Sequence, residues 1–353
     1  MTTHIEPYIA LALQATCHAV NCLKSRAEAA QQMLQTIEHL AALIRGSKGF
    51  IHSFSGMNTR LVVLPEYFLT GFPMGESIEA WSEKACIEVD GPEYEALSRI
   101  CQDNAIFLSG NLYELDKHFP GLYFQTSFII DPSGEVILRY RRLVSMFAPT
   151  PHDVLDRYLD IYGADALFPV AVTEIGRLAA VASEEILYPE ITRALALRGA
   201  ELICHSSSEV GSPLDTPKNI AKLARAYENM VYLVSANTSG VTGIPFPAAS
   251  TDGHSKVVDF HGKILGEAYT GESMCGNGEI DIVALRAARR RPGMSNTLAR
   301  QRLELFAPIY SNQVVYPANN MLREGVPFVP ERKHFIENQQ QVIDKLLEKG
   351  VLV

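Results

Sequence analysis

Residues 176–190 read Gly176-Arg177-Leu178-Ala179-Ala180-Val181-Ala182-Ser183-Glu184-Glu185-Ile186-Leu187-Tyr188-Pro189-Glu190. Leu178 to Ala182 is a short unbroken apolar run, the pattern of a strand buried on both faces. Ser183-Glu184-Glu185 ends it abruptly, and Pro189 suits the first position of a helix. The segment predicts a strand, a tight polar turn and a helix. A side chain at the tip of such a turn is held rigidly beside a helix N-terminus, a good place for a nucleophile. Ser183 occupies that tip.

The same alternation runs outward in both directions. Strands are expected at 8–14, 61–64, 105–109, 123–130 and 135–141, with Asp131-Pro132-Ser133-Gly134 turning the last two back on each other. Residues 24–45 predict a helix with Met33, Leu34, Ile37, Leu40, Ala41 and Ile44 on one face and Gly46 as its stop. After the opening stretch come a helix at 189–198 and a strand at 201–205. A helix follows at 217–229, with Thr216 as its cap and Pro217 at its first position. A strand at 231–236 and a hairpin around His261-Gly262 complete the pattern. No repeat or linker interrupts residues 6–285. The organisation read here is one domain over 1–310 and a C-terminal extension over 311–353. The extension is expected to wrap a surface and to end in an amphipathic helix at 335–349.

The chain has 353 residues, 47% of them hydrophobic, ample for a large core. Its net charge of −9 argues against a nucleic-acid partner. The one basic run, Arg286 to Arg291, reads as a solvated helix end. The six cysteines show no C-x-x-C pair or metal-ligand spacing, and Cys17-His18 with Cys22 has no second ligand cluster. Structural free thiols fit a reducing compartment. No signal-like or membrane-length apolar run occurs, so the expectation is a cytoplasmic protein with no membrane partner.

Five separated pieces occur in a telling order. They are Leu64-Pro65-Glu66-Tyr67-Phe68-Leu69-Thr70-Gly71, Tyr140-Arg141-Arg142, Tyr188-Pro189-Glu190, Arg198-Gly199-Ala200-Glu201 and Arg225-Ala226-Tyr227-Glu228-Asn229. This set resembles the nitrilase superfamily of carbon–nitrogen hydrolases over roughly residues 6–310. The resemblance implies a four-layer α-β-β-α sandwich that dimerises through helices. It also implies a Glu, Lys and Cys at the reacting centre, small nitrile, amide or carbamoyl substrates, and no metal or organic cofactor.

Residue by residue, the resemblance places the base at Glu66, the lysine at Arg142 and the cysteine at Ser183. Two of these three depart from the family. Glu66 has its own physical case: a carboxylate after an apolar strand, followed by Tyr67 and Phe68, is desolvated toward a general base. Arg142 stays protonated, so it can hold an anion but not relay a proton. Ser183 needs an activating base, and His152 and His205 are the candidates. Asp153 is a candidate second carboxylate, or else a helix cap. Glu185 is read as holding the turn, Glu114 as orienting Glu66 or Arg142, and His205 as lining the pocket. Glu184, through its amide, and Tyr188 complete the candidates. Cys204 and His205 cannot form a dyad, because adjacent strand residues face opposite ways.

Three readings follow. Glu66 activates a water, with Arg142 and the Glu184 amide stabilising the oxyanion. Alternatively the pocket binds a small ligand or partner protein without turnover, or Ser183 attacks with a histidine base. The first is preferred. A homo-oligomer is expected, because Ile191, Ala194, Leu195 and Leu197 and the C-terminal extension offer apolar faces to a second subunit.

Overall fold

The computed structural model describes residues 5–211, 216–251 and 253–353. β1 (Tyr8–Ala12) and the short β2 (Thr16–His18) lead into the long α1 (Arg26–Ser55). β3 (Thr59–Val63) lies parallel to β1, and α2 (Ile78–Ala85) and α3 (Pro92–Asn104) carry the chain to β4 (Phe107–Leu115). β4, β5 (Tyr123–Ile130) and β6 (Val136–Arg141) form an antiparallel meander. After α4 (Leu155–Tyr162), β7 (Ala171–Thr173) pairs with β8 (Gly176–Ala182). Then α5 (Pro189–Leu197), β9 (Leu202–Ser206), α6 (Pro217–Asn229) and β10 (Tyr232–Ala236) make two parallel crossovers. β11 (Gly240–Thr242) pairs with β2, and β12 (Lys256–Val258) and β13 (Ile264–Glu267) form a hairpin. β14 (Asn277–Ile280) returns beside β1 and is followed by α7 (Ile282–Arg290) and α8 (Ala307–Asn312). A small hairpin, β15 (Leu322–Arg323) and β16 (Val326–Pro327), precedes α9 (Arg332–Glu348).

Two six-stranded sheets result, in the orders β14-β1-β3-β4-β5-β6 and β13-β12-β10-β9-β8-β7. Strand alternation assigns their faces. Tyr8, Ala10, Ala12, Leu61 and Val63 meet Leu178, Ala180, Cys204 and Val234 between the sheets, in the cluster that also takes Ile191 and Leu195 of α5. Ile9, Leu11, Val62 and Leu64 point the other way, onto Met33, Ile37, Leu40 and Ile44 of α1. Helix, sheet, sheet and helix therefore stack in four layers, as the resemblance implied.

Three local readings need correction. α1 runs through Gly46 to Ser55, because its buried face continues with Ser47 and Ile51, and the stop is Gly56, left-handed at φ 75°. β4 extends to Leu115 through Gly110, where a Cβ would lie 2.8 Å from the Phe128 ring. The basic run is not simply solvated. Arg286 makes a bidentate pair with Glu201 at 2.6 and 2.9 Å, and Arg289 donates to the Ala200 carbonyl at 2.7 Å. The C-terminal residues pack on the first layer, where Met321 and Phe335 enter the α1 core.

Candidate active site

β8 stops at Ala182, and Ser183 turns the chain with φ 45° into a short 3-10 turn over 183–187. A left-handed non-glycine residue costs about 1–2 kcal/mol, so the surroundings must hold it. Glu185 is fully buried, and its carboxylate accepts from the backbone N–H groups of Leu143 (2.7 Å), Val144 (3.1 Å) and Ala182 (3.3 Å). It thereby joins the end of the first sheet to the turn of the second. Burial lifts its pKa to about 7. His205 donates from Nε2 to the Ser183 carbonyl at 2.8 Å, since a carbonyl can only accept. Its Nδ1 therefore accepts from the Ser235 hydroxyl at 2.8 Å. Burial, with Lys222 adding to it, depresses the His205 pKa and keeps the ring neutral.

The first sheet supplies a connected polar chain. Glu66 follows β3 and is fully buried. Its Oε1 accepts from Gln125 Nε2 at 2.6 Å and lies 3.5 Å from Arg142 Nη1. Gln125 Nε2 also donates to Asn111, and its Oε1 accepts from Arg142 Nη1 at 2.6 Å. Arg142 donates from Nε to the Val144 carbonyl at 2.7 Å and from Nη2 to Glu184. Its guanidinium is thus a fixed charge, with most of its donors spent inside the protein. Burial raises the Glu66 pKa, and Arg142, Lys218, Ser183 and Gln125 pull it back. Glu66 Oε2 has no hydrogen-bond partner of good geometry, and the Ser183 hydroxyl lies close enough to the carboxylate to lower its pKa. A buried carboxylate oxygen without a donor is an acceptor in waiting.

The second sheet supplies a group that the sequence reading missed. Lys218, in the first turn of α6, places Nζ 3.1 Å from Ser183 Oγ and 2.8 Å from Glu209 Oε1. Glu209 is buried, and its backbone N–H donates to Asn237 Oδ1 at 2.9 Å. One local signal was available. A cation in the first turn of a helix opposes the helix dipole, and such a conflict marks a residue kept for another reason.

A cavity of about 820 Å³ opens over this cluster, with Gln125, Arg142 and Glu184 on its lining. Tyr67, Phe72, Tyr113, Tyr123 and Phe147 form aromatic walls, and Arg332 and Phe335 of α9 also line it. Glu66 and Ser183 are not part of the lining, and Ser183 is 5% exposed. Glu66 and Ser183 therefore lie behind the Arg142–Glu184 pair that lines the cavity.

Residues 14–290 match the Carbon-nitrogen hydrolase family profile. This chain belongs to the carbon–nitrogen hydrolase family. It is 27% identical over 242 residues to a formamidase of Bradyrhizobium diazoefficiens, across 67% of this chain and 65% of that protein's length. It is 25% identical over 252 residues to a formamidase of Bacillus cereus, covering 70% and 67%. A carbon-nitrogen hydrolase structure from Helicobacter pylori superposes with TM-score 0.64 at 22% identity, covering 86% of this chain and 99% of that one. Saccharomyces cerevisiae Nit3, a member of branch 10 of the nitrilase superfamily, gives 0.61 at 20% identity, covering 84% and 97%. These structural likenesses carry the fold.

Within this carbon–nitrogen hydrolase fold several sequence candidates stand elsewhere. Glu114 does not reach Glu66 or Arg142. It accepts from the Tyr94 hydroxyl at 3.1 Å and from Arg139 and Arg141 at 3.3 Å. His152 packs on Tyr316, with ring centroids 5.8 Å apart. Asp153 caps its turn by accepting from the Thr150 backbone and hydroxyl at 2.8 and 2.7 Å. Tyr188 is half-exposed at the start of α5 and does not line the cavity. His205 sits behind the turn and does not line the cavity either. Neither histidine bonds the Ser183 hydroxyl. Among the described residues no group of three or more His, Cys, Asp or Glu could hold a metal ion. No described helix is long and apolar enough to cross a membrane.

Proposed function

We propose that this protein hydrolyses the C–N bond of a linear carboxamide, using an oxygen at residue 183 where the family pattern has a sulfur. The supporting observation is the buried Glu66 carboxylate, whose Oε2 has no donor beside Ser183. In this reading Glu66 is the general base, taking a proton from the attacking oxygen and returning it to the leaving nitrogen. Arg142 sets the charge of Glu66 and steadies it through Gln125. The Glu184 amide, at the start of a 3-10 turn, has no partner within the turn and suits a developing oxyanion.

The relatives named formamidase suggest an amide, but the aromatic walls exceed what a formyl group fills. The acyl group is therefore proposed to be a longer alkyl or aryl one. The test is ammonia release from primary amides graded from formamide to arylalkyl amides. The expected result is turnover that peaks with the larger members and falls by about 10²–10⁴ in Glu66→Gln.

One observation favours a second reading. The cavity ends on a closed Arg142–Glu184 pair, which suits a ligand bound without turnover. Binding in the cavity, with no ammonia from any amide, would select it.

Assembly is proposed to be homo-oligomeric, through Leu197 of the expected α5 surface together with residues of α8. Ile191 and Leu195 are buried within their own subunit, leaving Leu197 exposed. At the start of α5, Tyr310 of α8 donates to Glu190 at 2.9 Å, and Leu305, Phe306 and Ile309 are exposed. Light scattering at micromolar concentration should give more than one chain per particle.

A further inference from the structure

We infer that Lys218 is a catalytic residue that activates Ser183, and that the reaction runs through an acyl-serine. This rests on the amide-hydrolase reading above and names the route at the same site. The first observation is contact: Lys218 Nζ reaches Ser183 Oγ at 3.1 Å, and no histidine does. The second is aim. Buried Glu209 holds the ammonium at 2.8 Å and is itself fixed by Asn237. The third is the division of labour with Arg142. The guanidinium is tied to Val144, Gln125 and Glu184, while an ammonium with three rotatable donors keeps one for Ser183.

The Ser183 proton moves to Glu66 Oε2 as Oγ bonds the amide carbon. The Lys218 ammonium stabilises the oxygen as it loses that proton, which a lone carboxylate cannot do for a serine. Collapse of the tetrahedral intermediate breaks the C–N bond, and Glu66 hands its proton to the departing amine. Water then adds to the acyl-serine and gives a proton to Glu66. The second collapse breaks the ester bond, releases the carboxylic acid and returns the proton to Oγ.

The test uses an alkyl fluorophosphonate on the full-length protein, which forms an Oγ–P bond and expels fluoride without needing an amide substrate. Intact-mass and peptide analysis should find the adduct on Ser183. Lys218→Met should slow its formation about a hundredfold, the size of losing one aligned donor, while Lys218→Arg falls between. A wild type unlabelled at Ser183, or equal rates in Lys218→Met, overturns the inference. Thermal melts establish that the variant is folded.

A second readout does not depend on serine reactivity. In Ser183→Cys, iodoacetamide alkylation should titrate below the free-thiol value of about 8.5. Adding Lys218→Met should move the midpoint up by about one pH unit or more, and an unmoved midpoint overturns the contact. Ammonia assays separate the two proposals. Lys218-dependent labelling without turnover of any amide leaves the activation intact and removes the hydrolase reading. Amide turnover undiminished in Ser183→Ala or Lys218→Met does the reverse.

Discussion

Arg142 and Lys218 approach one carboxylate and one hydroxyl from opposite sheets, and they do so differently. Arg142 ends the first sheet and is buried, with hydrogen bonds to Val144, Gln125 and Glu184. Lys218 comes from the helix layer of the second sheet and touches only Glu209 and Ser183 in the described structure. A planar, committed cation defines a shape, while a compact ammonium with spare donors can follow a charge that moves. If the proposed chemistry holds, the difference teaches that the cation fixing the base and the cation serving the reacting oxygen need not be the same residue.

The largest expected effect falls on the group shared by both cations. Glu66→Gln should lower amide turnover by about 10²–10⁴, read as initial rates at saturating substrate. Equal turnover would make Glu66 a structural partner of Arg142 and dissolve the comparison.

Arg142→Met tests the structural half. It leaves Glu66 buried without its guanidinium, and breaking a buried pair costs about 3–5 kcal/mol. Urea denaturation should show that loss, and a change below about 1 kcal/mol would deny Arg142 its structural role.

Glu185 sharpens the comparison at the seam between the sheets. Its carboxyl is raised from 4.5 to about 7 by burial, so the folded protein binds a proton that the unfolded chain has released. The stabilisation is complete below pH 4.5 and fades as pH rises through 7. The stability gap between wild type and Glu185→Gln should therefore narrow by up to about 3 kcal/mol over that window. A constant gap in melts at pH 4.5 and 7.5 would show that Glu185 does not titrate there.

The smallest effect concerns how Lys218 is presented. Thr216 accepts from the Asn219 N–H at the start of α6. Thr216→Ala should cost about 1 kcal/mol and reduce Ser183 labelling more than it reduces stability. Stability loss without a labelling change would mean that the cap does not align Lys218.

Much of the fold could be read from the chain because the signals were local. The meander of β5 and β6 follows from its Asp131–Gly134 turn, and α6 from Thr216 and Pro217. The overruns share one cause. Gly46 and Gly110 look like breaks, yet both lie inside elements whose packing overrides the local preference. Glu66, Arg142 and Ser183 were singled out by motif order. Lys218 was not, because it and Ser183 are 35 residues apart and meet only once two parallel crossovers are folded. Glu114 and Asp153 went astray for the converse reason. Each is a carboxylate near the right strand end, but it is spent on Arg141 or on a Thr150 cap.

The C-terminal helix carries a consequence for how such a protein changes over generations. Asn320 Nδ2 donates to Asp153 Oδ1 at 2.7 Å, and His334 Nε2 donates to Asn320 Oδ1 at 2.7 Å, which ties α9 down beside the cavity. Beside it Arg332 lies on the Phe147 ring, 4.0 Å from its centroid. On the proposed function, drift at Arg332 would alter the shape admitted to the cavity without touching Glu66, Ser183 or Lys218. On the proposed function the tail would be a separately heritable dial for selectivity, free to diverge while the chemistry beneath it stands still.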